Sequence, residues 1–324
     1  MFSRVKSAIQ SSVVKITLRI IISLLLLGIL LRYVDFGSLW IIVRSANIFL
    51  LSLAIALFFV GQILAAYKWF FLLKRLRIEL PFLSVIRFNI IGQISGLMLP
   101  GRVSGDFVRV ISASHGHKEK TSFVFSVVLD KLAFFFGLIT FILLGIFGSG
   151  TIAHLYPIFI LASFAAILTI IIIVFFSRFR SERLHNFIIK GIERFPVTKK
   201  YLQPFSQIQN IPKISYSSIL FLILLGIVTQ LNNFIGSYLS AQALKININP
   251  LDWASINAIV AFVQIFPVSI AGLGLREGVY ANLLSSYQIP LENSISFSLL
   301  NFLIVSILVI FIWIVLEYLV INKT

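Results

Sequence analysis

Long apolar runs alternate with short polar connections along most of the chain. Six runs are each long enough to cross a bilayer as a helix, because about 20 apolar residues span its hydrocarbon core. They lie at about 15–33, 48–73, 121–147, 152–176, 216–241 and 294–320. The pattern therefore predicts an all-α polytopic membrane protein, with one membrane domain over residues 1–324 and six full transmembrane helices.

Two further apolar segments, at about 84–113 and 254–289, are interrupted by proline and glycine. The apolar arms beside each interruption reach roughly 18 Å, well short of a bilayer core of about 30 Å. We therefore interpret both segments as re-entrant helical hairpins, which turn inside the membrane. The breaks are Pro100, Gly101 and Gly105 in the first segment, and Pro267, Gly272 and Gly274 in the second.

Basic residues indicate the orientation of the chain. The sequence has 27 Lys and Arg against 11 Asp and Glu, and such an excess collects in cytoplasmic loops of membrane proteins. Most of these residues, including the basic loop at about 177–215, fall on one side only if each broken segment returns to the side from which it enters. This assignment predicts a multi-pass protein of the cytoplasmic (inner) membrane with both termini in the cytoplasm.

The same assignment makes the two hairpins enter the membrane from opposite faces. Opposed broken elements are typical of inverted-repeat transporters, which bind their substrate where the elements meet. The two halves match loosely in sequence, PGRVSGDF against PVSIAGLGLRE.

The basic loop at about 177–215 suits an amphipathic helix on the inner membrane surface, and a solvated linker fits its composition equally well.

Composition excludes several kinds of chemistry. The chain has no cysteine, which rules out disulfides and thiolate metal sites, and its four histidines are scattered. It also lacks the GxxxxGK[ST] motif of ATPases. No metal and no cofactor are predicted, and transport would have to be downhill, ion-coupled or driven by a partner.

Charged residues at membrane depth form the candidate substrate-binding site, because charge is costly there and is commonly functional. In the first segment, a half-helix that begins after Gly101 places Arg102, Asp106 and Arg109 on one face. A half-helix N-terminus attracts anions, and an arginine in its first turn is unfavourable without one. We therefore expect a bound anion, such as a phosphate, at this terminus.

The second segment repeats this arrangement, since a helix that restarts at Leu275 has Arg276 and Glu277 in its first turn. Asp130 and Lys131 lie roughly 13 Å into the run at 121–147. Adjacent helical residues point roughly 100° apart, so Arg276 and Glu277 are not expected to pair with each other. We expect Asp130 to pair with Arg276, and Glu277 with Lys131. A cluster that only holds the hairpins in place remains the alternative.

Amide side chains within the apolar runs are a weaker signal, because most such residues bridge helices. The pair Asn232 and Asn233, together with Gln264, is the best candidate to line a cavity.

Three motifs together resemble a known family. They are the segment from Gly92 to Arg109 with its LPGRVSGDFVR sequence, the pair Asp130-Lys131, and the segment from Pro267 to Glu277 that ends in GLGLRE. The set is similar to the transmembrane region of lysylphosphatidylglycerol synthases, which also stands alone in flippase-like integral membrane proteins. The resemblance covers nearly the whole chain and implies movement of a lipid between leaflets. No part of the chain corresponds to the soluble synthase domain, so aminoacyl transfer is not expected.

The sequence thus predicts a lipid flippase-like transporter, not an enzyme, that binds an anionic phospholipid or polyprenyl-linked lipid at a membrane-central charged cluster. A non-transporting membrane scaffold, or an accessory factor of a lipid or glycan synthesis enzyme, is the alternative. A partner lipid-modifying enzyme and an oligomer are compatible with the sequence. Nucleic acid is not an expected partner, because cytoplasmic loops account for the basic excess.

Overall fold

The computed structural model of the protein describes residues 36–99, 102–117, 119–178, 212 and 214–321. Two single-turn 3-10 helices, Gly145–Phe147 and Ala153–Leu155, lie in the connection after the fifth α-helix. The α-helices of the described residues are α1 (Phe36–Arg44), α2 (Ile48–Arg75), α3 (Phe82–Met98), α4 (Arg102–Ala113), α5 (Lys120–Leu144), α6 (Tyr156–Arg178), α7 (Tyr216–Ala243), α8 (Pro250–Val263), α9 (Leu275–Ser285) and α10 (Leu291–Ile321).

Four of the described helices are long and apolar enough to cross a membrane: Ile48–Arg75, Lys120–Phe147, Tyr216–Ala243 and Leu291–Tyr318. They coincide with four of the six predicted runs. A fifth run, at 152–176, is occupied by α6, which has 23 residues. The predicted run at about 15–33 lies outside the described residues, as does most of the basic loop at about 177–215.

Polar residues in the connections start several of these helices. The Asn47 side chain accepts hydrogen bonds from two backbone N–H groups of the first turn of α2, at 3.0 and 3.2 Å. Asn249 caps α8 in the same way at 2.9 Å, and Pro250 follows it at the first helical position. Such caps satisfy backbone donors that a helix start leaves unpaired. They fix where each apolar run begins as a helix.

The first broken segment forms an antiparallel pair of helices, α3 and α4, which pack against each other. The contact depends on two glycines: a Cβ atom placed on Gly105 would lie 2.2 Å from the backbone oxygen of Gly92. Val110 near the end of α4 shares a buried cluster with Leu76 and Ile78, which precede α3. The segment therefore returns to the end of the bundle from which it starts.

The second broken segment is α8, an irregular stretch over 264–274, and α9. Gly272 and Gly274 adopt positive φ angles of 74° and 78°, a conformation that glycine adopts without strain. The helix restarts at Leu275, as predicted. The Tyr280 hydroxyl of α9 donates a hydrogen bond to Asn257 of α8 at 3.2 Å, so this segment also folds back on itself.

The two segments occupy opposite ends of α5. Phe123, near the start of α5, lies in the buried cluster that holds both ends of the first segment. Ile142, near the end of α5, lies in another cluster with Trp253 of α8 and Leu283 of α9. Each broken segment therefore extends from one end of the bundle toward its middle.

The glycine contact between α3 and α4 gives a direct test of this packing. We expect Gly105→Ala to lower the thermal unfolding midpoint of the purified protein, because an overpacked contact costs about 1–3 kcal/mol. The matched control is Gly278→Ala in α9, since a Cβ atom there meets nothing within 4 Å apart from its chain neighbours and the backbone of its own helix. Equal midpoints for the two variants would contradict the close approach of α3 and α4.

Candidate functional site

A cavity of about 470 Å³ lies between the two broken segments. Small-molecule sites commonly measure roughly 300–1,000 Å³. Helices α2, α5, α7 and α10 complete its wall. The first segment contributes Asn89, Gly92, Gly105, Asp106 and Arg109 to the lining, and the second contributes Asn257, Gln264, Gly272, Arg276 and Tyr280.

Five charged side chains form what we call the central cluster: Lys68, Asp106, Arg109, Asp130 and Lys131. Asp130 contacts Lys68 at 3.0 Å and Arg109 at 3.3 Å. Asp106 contacts Arg109 at 3.1 Å and Lys131 at 2.5 Å. The ion pairs thus form one chain across α2, α4 and α5, with a cation at each end. Three cations against two carboxylates leave one formal positive charge.

Arg109 is the centre of this chain and is held on several sides. Its side chain is only 6% exposed. Besides both carboxylates, it donates a hydrogen bond to Asn89 Oδ1 at 3.1 Å and lies 4.5 Å from the centre of the Trp69 ring. The Trp69 indole is fixed in turn by a 2.9 Å hydrogen bond to Ser126. Helices α2, α3 and α5 therefore position the guanidinium of α4.

Lys131 is the most accessible cation of the central cluster. Its side chain is 26% exposed, compared with 8% for Lys68. Its ammonium also lies 5.6 Å from the centre of the Phe134 ring. An anion that enters the cavity meets this charge more readily than the buried ones.

Arg276 and Glu277 form a separate buried pair at the start of α9. The Glu277 side chain is fully buried and accepts hydrogen bonds from the Gly274 N–H at 2.7 Å and from the Arg276 Nε at 3.0 Å. Ser298 of α10 accepts from the Arg276 Nε at 2.8 Å and donates to the Glu277 carboxylate at 3.0 Å. The Arg276 guanidinium also lies 4.5 Å from the centre of the Phe302 ring. This pair is locally neutral.

The predicted ion pairs are wrong. Asp130 pairs with Lys68 and Arg109 rather than with Arg276, and Lys131 pairs with Asp106 rather than with Glu277. The direct Arg276–Glu277 contact also contradicts the argument from helix angles. That argument concerns the directions in which side chains leave the helix, and the long arginine side chain reaches back to its neighbour.

Sequence reasoning did not place Lys68 in the candidate site. It is 7% exposed and lies within the apolar run at 48–73, and this position is the signal that could have identified it. The predicted start of the half-helix at Arg102 is confirmed for the backbone. The Arg102 side chain, together with Pro100 and Gly101, lies outside the described residues.

The amide side chains divide into two kinds. Asn233 and Gln264 line the cavity, as predicted. Asn232 instead donates a hydrogen bond to the backbone oxygen of Leu57 at 2.9 Å and thus ties α7 to α2. Within the described part of the chain, no group of His, Cys, Asp and Glu side chains could hold a metal ion.

The fold and the cavity define an α-helical, multi-pass membrane protein with a charged site between two broken helical segments. The chain belongs to the family described as the lysylphosphatidylglycerol synthase TM region, whose model matches residues 16–313. No curated protein matches the chain. It is therefore a membrane protein of a family tied to lipid metabolism.

The buried Arg276–Glu277 pair predicts how single and double substitutions change the stability of the protein. We expect Glu277→Leu to destabilise the protein by about 3–5 kcal/mol, because Arg276 would remain as an unpaired buried charge. The double variant Arg276→Leu/Glu277→Leu should recover part of this loss, since an apolar pair removes both charges. Thermal unfolding of the purified variants measures both effects. A double variant less stable than Glu277→Leu alone would contradict this account.

Proposed function

We propose that the protein is a lipid flippase-like transporter that holds an anionic lipid headgroup in the cavity between the broken segments. The observation that carries the proposal is the uncompensated positive charge of the central cluster beside a cavity of ligand size. A family tied to lipid metabolism supports a lipid as the source of the anion.

A phosphate is the anion that this site suits best. The substrate phosphate would first meet Lys131, the most exposed cation, and would compete with Asp106 for it. Arg109 lies on the other side of Asp106 and offers the planar donor geometry that matches phosphate oxygens. Arg276 is already neutralised by Glu277, so it contributes hydrogen bonds rather than net charge.

The proposed membrane arrangement has six transmembrane helices and two re-entrant hairpins, formed by α3–α4 and α8–α9. Each broken segment returns to its own end of the bundle, which supports this arrangement. The hairpins would enter from opposite faces of the cytoplasmic membrane, with both chain termini in the cytoplasm. Movement of one hairpin relative to the bundle would then open the cavity to one leaflet at a time.

We favour transport over catalysis because the carboxylates at the site are engaged. Asp106 and Asp130 each contact two cations, and Glu277 contacts Arg276 and a backbone N–H. A general base must be free to reach the proton that it abstracts. Carboxylates that already contact two partners each are not free in this way, which favours binding over proton transfer.

The charge of Lys131 gives the test of the proposed function. In liposomes that contain the purified protein, a fluorescent anionic phospholipid should become accessible to a quencher from the other leaflet. We expect Lys131→Gln to reduce the rate of this movement about tenfold or more, because it removes the excess charge that attracts the phosphate. The control is Lys120→Gln, which changes an exposed lysine at the start of the same helix.

Full activity of Lys131→Gln would overturn the assignment of the headgroup to the central cluster. If the native protein moved none of several anionic lipids, the transport proposal would fail. The alternative, a scaffold or accessory factor for a lipid-modifying partner enzyme, would then be favoured.

The re-entrant arrangement has its own test, for which the absence of cysteine is an advantage. Glu79→Cys and His115→Cys introduce exposed thiols before and after the first hairpin, and Asn247→Cys introduces one before the second. In intact cells, a membrane-impermeant maleimide should label Asn247→Cys alone. Labelling of either Glu79→Cys or His115→Cys, but not both, would show that the first segment crosses the membrane.

A further inference from the structure

The cavity is lined by more carboxamide side chains than charged ones. Among the described residues, five charged residues reach its surface, compared with eight carboxamides. The carboxamides come from five helices and from the stretch after α8, so no single helix contact explains them. The eight are Gln62, Asn89, Gln93, Gln230, Asn233, Asn257, Gln264 and Asn301.

Hydrogen bonds between helices occupy only some of the donors and acceptors of these carboxamides. Gln62 and Gln93 pair at 2.5 Å, and Asn257 accepts a hydrogen bond from Tyr280. Among the described residues, Asn301 Oδ1 and Ser306 Oγ are buried and have no hydrogen-bond partner, although both residues line the cavity. The same is true of Asn89 Nδ2, whose side chain is otherwise held by Arg109.

These three atoms are themselves shielded from the cavity, and the lining carboxamides are the groups that a ligand can reach. A carboxamide both donates and accepts hydrogen bonds, as a hydroxyl group does. Such a wall matches a ligand with several hydroxyl groups, without adding charge inside the membrane. The carboxamide of Asn301 lies one helical turn beyond Ser298, so these hydrogen-bonding groups continue along α10 from the neutral Arg276–Glu277 pair.

An ammonium group fits the same cavity poorly. It would need a carboxylate, but cations engage Asp130 and Glu277, and Asp106 lies beside Lys131 and Arg109 even where the phosphate displaces it. The excess positive charge of the central cluster would also repel it. Hydroxyl groups need no carboxylate partner, and they carry no charge that the cluster would repel.

We infer that the headgroup is polyhydroxylated and carries a single phosphate, with the phosphate at the central cluster and the hydroxyl groups against the carboxamide wall. This inference rests on the proposed function and deepens it, since it names the class of lipid. It separates polyol and sugar phospholipids from aminated ones of the same net charge.

The test compares two lipids in liposomes that contain the purified full-length protein. Phosphatidylinositol and phosphatidylserine, each with the same fluorescent acyl chain, carry equal net charge but differ in hydroxyl and ammonium groups. We expect phosphatidylinositol to change leaflets about five- to tenfold faster, because its hydroxyls complete hydrogen bonds that the other headgroup leaves unmade. Protein-free liposomes supply the background rate.

Variants then locate the preference in the carboxamide wall. Asn301→Leu, and independently Gln264→Leu, should bring the ratio of the two rates toward one. Asn282→Leu is the matched control, because Asn282 is exposed and lies outside the cavity lining. A ratio that stays high in both cavity variants would overturn the role of the wall.

The outcomes separate this inference from the proposed function. Equal rates for the two lipids, both above background, would overturn the polyol inference and leave lipid transport standing. If neither lipid moved, lipid transport would fail, and calorimetry with soluble inositol phosphate would decide the chemistry of the cavity. If inositol phosphate binds and Asn301→Leu weakens this binding, the cavity is assigned to a soluble polyol phosphate. If inositol phosphate does not bind, the polyol inference is overturned as well.

Discussion

Arg109 and its two carboxylates are the interaction on which the centre of the structure depends. Charge in an apolar interior is tolerated only when it is paired and hydrogen-bonded. Asp106 and Asp130 meet this requirement for Arg109, and each of them holds a lysine on its other side. The need to compensate these charges therefore fixes the relative positions of α2, α4 and α5.

The break in the first segment makes this cluster geometrically feasible. Because α4 starts in the middle of the bundle and packs closely on α3 through Gly92 and Gly105, its charged face can reach α5. An unbroken helix of the same length would carry Asp106 and Arg109 to the far end of α5, away from Asp130 and Lys131. The close glycine contact between α3 and α4 thus explains how the charged residues of α4 come to lie at the site.

The sequence was sufficient for the features that depend on local order. Apolar length predicted the four described helices that are long enough to cross a membrane. The positive φ angles of Gly272 and Gly274 and the helix restart at Leu275 followed from turn chemistry. The ion-pair partners of the charged residues could not be predicted in this way, because they depend on which helix faces contact each other. Lys68 shows the difficulty, because nothing in its local sequence indicates that α2 brings it into contact with Asp130 of α5.

The pairing of the central cluster also bears on release, which a transporter needs as much as binding. Three unpaired cations would hold a phosphate too tightly for turnover, since a site must bind weakly enough for its ligand to leave. In the proposed function, Asp106 would compete with the phosphate for Lys131 and Arg109, and it would re-form those ion pairs when the phosphate departs. The carboxylates would thus stabilise the empty site and lower the affinity of the filled one. A net charge of one, rather than three, is therefore what the proposed transport of a single phosphate requires.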